Sequence, residues 1–308
     1  MTHSPATVGF IGLGHMGLPM AQRLAASEFP LAAWNRTSSR AAPLAATGTR
    51  LAGSPSALAA GCDVVITMLS DAGAARAVLC GSDGVLSACR PGTIVVDMST
   101  IGPHAARELA AEAARHGAEF LDAPVSGSVA LAGQGALTVM VGGPPGAFER
   151  ARPVLAVLSK AQLHLGPHGS GAAMKLAVNL VVAATNQSVA EALALAEISG
   201  IDRAAAYDTL ATSAVSSPFL SYKRQAFLSP GGAPVSFTTA LMSKDLALAI
   251  GVAGDVPLPV AAAAKEFLDR ACAGGFSDAD FASVAQVLGQ RAGQAARSDQ
   301  PAETRVPP

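Results

Sequence analysis

Between Ala172 and Ser199 the chain holds neither glycine nor proline, and Gly169, Gly171 and Gly200 bracket the run GSGAAMKLAVNLVVAATNQSVAEALALAEISG. So long a stretch rich in Ala and Leu supports one backbone, an α-helix of roughly 28 residues and about 42 Å. It also divides the chain. Short β-rich runs alternate with alanine-rich helical ones before it, and no convincing strand follows it. Lys175 and Asn179 stand four apart near its start, on one face, among Met174, Leu176, Ala177, Val178 and Leu180. An ammonium in such an apolar turn is costly unless it meets a partner or does chemistry. Positive charge there also opposes the helix dipole. On this stretch alone, a surface lysine beside a capping asparagine accounts for the pair equally well.

In the first half the candidate strands are Thr7–Ile11, Leu31–Trp34, Asp63–Met68, Thr93–Asp97, Ala118–Asp122, Leu137–Val141 and Gln162–Leu165. Between them Gly17–Ser27, Ser38–Ala46, Ser54–Ala60, Ala72–Leu79, Pro103–His116 and Pro145–Leu158 have helical patterns. This alternation predicts a parallel sheet with helices on both faces. After the long helix, Arg203–Ser213, Pro218–Phe227, Thr239–Gly251, Pro259–Ala273 and Ala279–Ala296 have helical patterns only. The expected organisation is an α/β domain over residues 1–166 and an all-α domain over 167–296, joined by the long interdomain helix. A polar, proline-bearing tail over 297–308 is expected to be disordered.

The first strand–helix junction carries a recognisable chemistry. Val8-Gly9-Phe10-Ile11 runs into Gly12-Leu13-Gly14-His15-Met16-Gly17, a GxGxxG that follows a strand and opens a helix. In a doubly wound Rossmann fold the first glycine permits the tight turn. The second lets the backbone approach a pyrophosphate, and the third packs helix on strand. Free N–H groups and the helix dipole then favour the anion. NAD sites usually place an acidic residue about 20 residues further on, for the ribose 2′-hydroxyl. Here Trp34-Asn35-Arg36-Thr37 stands at that point. The planar guanidinium of Arg36 suits a 2′-phosphate, and Asn35 and Thr37 can add neutral hydrogen bonds, so NADP is the expected cofactor.

Bulk composition excludes several other classes. Half of the residues are hydrophobic and 14% are charged, with a formal net charge of −1, which provides no basic surface for nucleic acid. The most apolar run, Leu176–Ala184, is interrupted by Asn179 and ends at Thr185-Asn186-Gln187-Ser188, short of the ~20 residues that span a membrane. No charged and apolar leader pattern opens the chain, so a cytoplasmic location is expected. Cys62, Cys80, Cys89 and Cys272 have no paired spacing, which points to reduced thiols and no metal site. The long apolar helix is more than a domain of this size would bury alone, so a homodimer or homotetramer is expected.

Four ordered motifs now stand together: Gly12–Gly17, then Asp97-Met98-Ser99-Thr100, then Asp122-Ala123-Pro124-Val125-Ser126-Gly127-Ser128, then Gly169-Ser170-Gly171 with Lys175 and Asn179. With them the chain closely resembles the β-hydroxyacid dehydrogenase family, from about Val8 to about Arg291. That family includes 3-hydroxyisobutyrate dehydrogenase, tartronate semialdehyde reductase and glyoxylate/succinic semialdehyde reductases. The resemblance implies an NAD(P) domain, a helical domain and an active site in the cleft between them. It implies that Lys175 exchanges a proton with the substrate oxygen and that Asn179 orients the substrate or the lysine. Ser126, Gly127 and Ser128 match the turn that holds the substrate carboxylate, and Phe237 matches a residue lining the substrate pocket. Thr100 falls beside the nicotinamide, and Met68-Leu69-Ser70 along the cofactor. Lys244 and Asp245 match a pair that borders the cofactor side; a helix-surface carboxylate paired with Lys244 or solvent explains Asp245 nearly as well.

The turn reads Ser-Gly-Ser where many relatives have Ser-Gly-Gly, and Thr238-Thr239-Ala240-Leu241 follows Phe237 where some carry a basic or histidine side chain. A pocket with fewer charges at the substrate's far end is implied. The expected function is NADP-dependent interconversion of a small β-hydroxyacid, or another short hydroxyacid, and its semialdehyde. The chain is too short for a 6-phosphogluconate dehydrogenase. An imine reductase on the same fold, or a non-catalytic NADP-binding protein, is the alternative; Lys175 argues against the first and its company with Asn179 and Ser126 against the second.

Overall fold

The structure, a computed structural model, describes residues 5–229 and 232–288. It forms two compact units that divide between Val178 and Asn179, inside the long helix.

The first unit runs β1 (Val8–Ile11), α1 (Gly17–Ala25), β2 (Leu31–Trp34), α2 (Ala42–Ala45), β3 (Arg50–Leu51), α3 (Pro55–Ala59), β4 (Val64–Thr67) and α4 (Ala72–Cys80). It continues with β5 (Ile94–Asp97), α5 (Pro103–Arg115), β6 (Glu119–Asp122), β7 (Val125–Ser126), α6 (Val129–Gln134), β8 (Leu137–Gly142), α7 (Pro145–Leu158) and β9 (Ser159–Gly166). The sheet order is β3-β2-β1-β4-β5-β6-β8-β7, with β9 on β8. Val8, Phe10, Val64, Ile66, Ile94 and Val96 enter one core, and Ile11, Val65 and Val95 the other. Successive side chains point to opposite faces, so strands covered on both sides read as unbroken apolar runs.

The sheet departs from the expected all-parallel one at its far end. From β3 to β6 every pair is parallel, but β8 is antiparallel to β6 and β7 and parallel to β9. Pro124 interrupts the chain directly after β6. The connection from β7 to β8 holds only the six-residue α6, too short for the crossover that parallel pairing needs. The expected helix Ser38–Ala46 splits into a 3₁₀ turn, Ser38–Ala41, and α2, because Pro43 has no N–H to continue the ladder.

The long helix α8 (Ser170–Ile198) leads into the second unit, whose further helices are α9 (Arg203–Thr212), α10 (Pro218–Leu228), α11 (Thr239–Ala253) and α12 (Pro259–Ala271). Three starts are capped by side chains: Asp202 accepts from Ala205 N, Ser217 from Leu220 N and Thr238 from Leu241 N. Leu193, Tyr207, Phe227, Leu246, Leu268 and Phe281 centre the core. In place of the start of the expected helix Ala279–Ala296 stands a 3₁₀ turn, Phe281–Ser283, which Asp280 caps through Ala282 N. Residues 284–288 are helical; the remainder of that helix, and the expected tail 297–308, lie outside the described residues.

By length and composition α8 could cross a bilayer. Yet 44% of its most apolar window packs inside the structure, and its buried positions include Asn179, Asn186 and Gln187. The amides of Asn186 and Gln187 donate to Phe281 O and Glu191 Oε1 at 3.0 and 2.8 Å. Buried amides bonded to protein belong to a helix that packs against protein.

Candidate active site

At the C-terminal ends of β1 and β4, the switch point of the sheet order, a cleft of about 570 Å³ opens. Gly12, Gly14, Asn35, Arg36, Thr37, Met68, Leu69 and Ser70 line it, all expected from sequence. The glycines have separate reasons. Gly12 has φ +96° and a Cβ there would sit 2.2 Å from Met68 O; one on Gly17 would sit 1.9 Å from Gly12 O. At Gly14 a Cβ would meet nothing nearer than Arg40 Nη1 at 3.9 Å. The backbone there faces open space, as a pyrophosphate requires, so the turn fits a dinucleotide.

Asn35 has another task than the one expected. Its Oδ1 accepts from Leu13 N at 2.8 Å and its Nδ2 donates to Thr37 O at 2.9 Å, so it braces the glycine turn against the end of β2. Arg36 is exposed on the cleft rim, and Arg40 stands with it. Neither is drawn into an ion pair among the described residues. Arg40 escaped the sequence reading, although a second guanidinium four residues after Arg36 was there to be seen. Ala74, Ala77 and Val78 of α4 supply an apolar wall, and Asp83, which accepts from Ser56 Oγ, borders it.

The loop after β4 is fastened from below. Leu69 N donates to Ser99 Oγ at 2.8 Å, and Ser99 Oγ donates to Asp97 Oδ1 at 2.6 Å, as Thr67 Oγ1 does. Asp71 caps α4 through Ala74 N and accepts from Ser70 Oγ. Thr100 follows Ser99 and is half-buried.

Asp122, at the end of β6, holds the start of α8: Gly169 N donates to Oδ1 at 2.8 Å and Ala172 N to Oδ2 at 2.9 Å. Burial raises the pKa of Asp122, against those two N–H groups, which favour the ionised form. A Cβ on Gly171 would meet Met140 O at 2.3 Å and Asp122 O at 2.5 Å, which accounts for the glycine before the lysine helix. In the nearby turn, Ser126 ends β7 and Gly127 has φ +148°. Ser128 departs from the expected substrate contact: its Oγ caps α6, accepting from Leu131 N at 3.3 Å.

Lys175 is half-buried on α8, one turn before Asn179. In the helical unit Asn179 Nδ2 donates to Asp245 Oδ2 at 2.6 Å, and Lys244 Nζ lies 3.0 Å from Asp245 Oδ1. The Asp245 side chain is fully buried, so it is neither a surface carboxylate nor open to a cofactor. Phe237 packs edge-on against Phe281, with ring centroids 6.1 Å apart. Sequence reasoning missed the buried pair of Lys223 and Asp280 close by. Nothing in its sequence spacing, 57 residues apart, announces it.

Comparison with known proteins agrees with this geometry. Residues 7–166 match the family model described as the NAD binding domain of 6-phosphogluconate dehydrogenase. Residues 169–288 match the one described as NAD-binding of NADP-dependent 3-hydroxyisobutyrate dehydrogenase. The 2-(hydroxymethyl)glutarate dehydrogenase of Eubacterium barkeri is 36% identical, over 93% of this chain and 96% of that protein. The chain belongs to the β-hydroxyacid dehydrogenase family. Within it, the chloroplastic glyoxylate/succinic semialdehyde reductase 2 of Arabidopsis thaliana is 35% identical, over 92% of this chain and 79% of that protein. The crystal structure of 3-hydroxyisobutyrate dehydrogenase from Salmonella typhimurium superposes with a TM-score of 0.85 at 30% identity, over 92% and 99% of the two chains. As a β-hydroxyacid dehydrogenase the protein is an NAD(P)-dependent oxidoreductase acting on a small molecule. The cleft beside Gly12–Gly14 is where its residues fit the cofactor.

Proposed function

We propose that the protein interconverts a short hydroxyacid and its semialdehyde with NADP(H). Its main support is Lys175 one helical turn before Asn179, an amide that Asp245 holds in one orientation. The nicotinamide supplies or takes up the hydride. Lys175 gives a proton to the substrate oxygen as charge builds there in the reduction, and takes it back in the oxidation. The Ser126 hydroxyl and Gly127 N–H hold the substrate carboxylate, which orients the carbonyl carbon. Phe237 adds an apolar wall. Arg36 and Arg40 on the rim, with no acid at the end of β2, favour a 2′-phosphate over a bare ribose. A homo-oligomer built on α8 belongs to the same reading, because that helix exposes Val181, Leu195 and Ile198.

The deciding experiment is NADPH oxidation over a panel of small semialdehydes, glyoxylate and cyclic imines, on wild type and Lys175→Ala. Turnover of a semialdehyde or glyoxylate is expected. The variant should lose about 10²–10⁴-fold in kcat, with NADPH affinity unchanged. Turnover of imines alone, or full turnover in the variant, overturns the proposal.

A further inference from the structure

One buried charge lies beneath the wall of the cleft without lining it. Asp97, the last residue of β5, is fully buried; its Oδ1 accepts from Thr67 and Ser99, and its Oδ2 has no hydrogen-bond partner among the described residues. Burying a carboxylate with half its acceptor capacity unused is costly. A neutral side chain of similar size would fill the space at lower cost, so packing alone gives no reason for the acid.

The charge does one thing a neutral filler would not. A serine hydroxyl has a single proton, and Asp97 takes it from Ser99. Ser99 Oγ is left with lone pairs for the other side, where Leu69 N donates to it. Leu69 is the middle of Met68-Leu69-Ser70, one wall of the cleft. That wall touches the dinucleotide turn, since a Cβ on Gly12 would come within 2.2 Å of Met68 O. Between surfaces packed so closely a shift of one displaces the other.

We propose that Asp97 and Ser99 are positioning residues for the cofactor. The carboxylate fixes the polarity of the Ser99 hydroxyl, which holds Leu69 N–H and so sets the spacing between the Met68–Ser70 wall and the Gly12–Gly14 turn. This rests on the cleft being the cofactor site, and is independent of the substrate and of Lys175.

Trp34, the chain's single tryptophan, lines the cleft, so energy transfer from it reads NADPH binding directly. Ser99→Ala and Asp97→Ala should weaken NADPH binding by about tenfold, the worth of one hydrogen bond in a charged network. KM for NADPH should rise in parallel, with kcat at saturating NADPH within about twofold of wild type, since neither residue touches the reacting atoms. Asp97→Asn keeps the Oδ1 acceptor and should restore affinity to within about threefold. Val96→Ala, which shortens a core side chain on the same strand, should lower Tm without moving the Kd. If Asp97→Ala does not fold, Ser99→Ala and Asp97→Asn still decide. A Ser99→Ala protein that loses Tm as Val96→Ala does but binds NADPH like wild type overturns the proposal. Wild type that binds neither NADPH nor NADH overturns instead the reading of the cleft.

Discussion

Asn179 donates from Nδ2 to Oδ2 of Asp245 at 2.6 Å, and both side chains are buried. A carboxylate only accepts, so the contact fixes which end of the amide faces it and turns Asn179 Oδ1 the other way. Asp245 thereby orients Asn179. Asp245→Ala removes the acceptor of a buried amide and should cost about 2–4 kcal/mol of stability. It should also lower kcat by about tenfold, as a misoriented group does. Asp245→Asn can accept or donate, so it should fold better yet still lose rate. Urea unfolding and steady-state kinetics check both, and unchanged kcat with reduced stability would confine Asp245 to packing.

Arg36 and Arg40 share the rim of the cleft. Loss of a charged hydrogen bond to phosphate costs about 1.5–3 kcal/mol, roughly ten- to a hundredfold in affinity. Arg36→Ala and Arg40→Ala should each weaken NADPH binding within that range and leave NADH binding nearly unchanged. Both residues are exposed, so the preference should shrink as salt rises. Titrations with the two cofactors measure it, and equal affinity in wild type would sink the assignment of NADP.

Val181 and Leu195 are 61% and 68% exposed and lie two heptads apart on α8, hence on one face, with Ile198 at 73% exposed one turn on. So apolar a stripe is costly in water. Light scattering should find a dimer or tetramer, and Val181→Asp with Leu195→Asp should dissociate it. A stable wild-type monomer at micromolar concentration would count decisively against assembly.

What the sequence disclosed follows from how local each feature is. GxGxxG and the glycines before Lys175 were legible because each demands a backbone that only glycine tolerates there, at Gly12, Gly17 and Gly171. Strands such as Val64–Thr67 were legible because burial on both faces leaves an unbroken apolar run. The antiparallel turn of β8 was not, since it depends on a pairing that hydrophobicity does not encode. The partners of Asn179 and Lys223 lie 66 and 57 residues away, where spacing carries no signal. Motif matching placed Ser128 and Asp245 in the site, but the structure uses one as a helix cap and the other as a brace.

Asp97 makes stability depend on pH in an unusual direction. Burial pushes its pKa up to about 6 against the hydrogen bonds from Ser99 and Thr67, and the Asp122 charge adds to the rise. Unfolded, it titrates near pH ~4. Between roughly pH 4 and 6 the folded protein keeps a proton that the unfolded chain has lost, so this contribution falls as pH rises. Above about pH 6 the full cost stands, on the order of 3 kcal/mol. Asp97→Asn should therefore gain on wild type at pH 7 relative to pH 4.5 in urea unfolding. An equal difference at both values would show that Asp97 does not titrate there.

Lys223 and Asp280 form the buried ion pair of the helical unit, and the two ends are not equivalent. Lys223 Nζ donates to Asp280 Oδ1 and Oδ2 at 2.6 and 2.7 Å and to Ser236 Oγ at 2.6 Å, and lies 3.9 Å above the Phe281 ring. Asp280 has further donors in Ser236 N, Ser236 Oγ and Ala282 N. Burial alone would raise its pKa, but the ammonium and these hydrogen bonds outweigh it and hold the carboxyl below its usual range. Removing one partner of a buried pair typically costs about 3–5 kcal/mol. Lys223→Met, which keeps an apolar stem under the rings and leaves Asp280 its other donors, should fall at or below the low end. Asp280→Ala, which strands an ammonium with one hydroxyl and a ring face, should fall at the high end or fail to fold. Because the folded pKa of Asp280 is depressed, its contribution is present above the unfolded carboxylate pKa and is lost as pH falls through the folded one. Lys223→Met should therefore flatten the acid limb of the stability curve. Thermal melts from pH 3 to 7 on the two variants test the order of the losses and the slope. Equal losses with an unchanged acid limb would mean that the pair does not carry that charge.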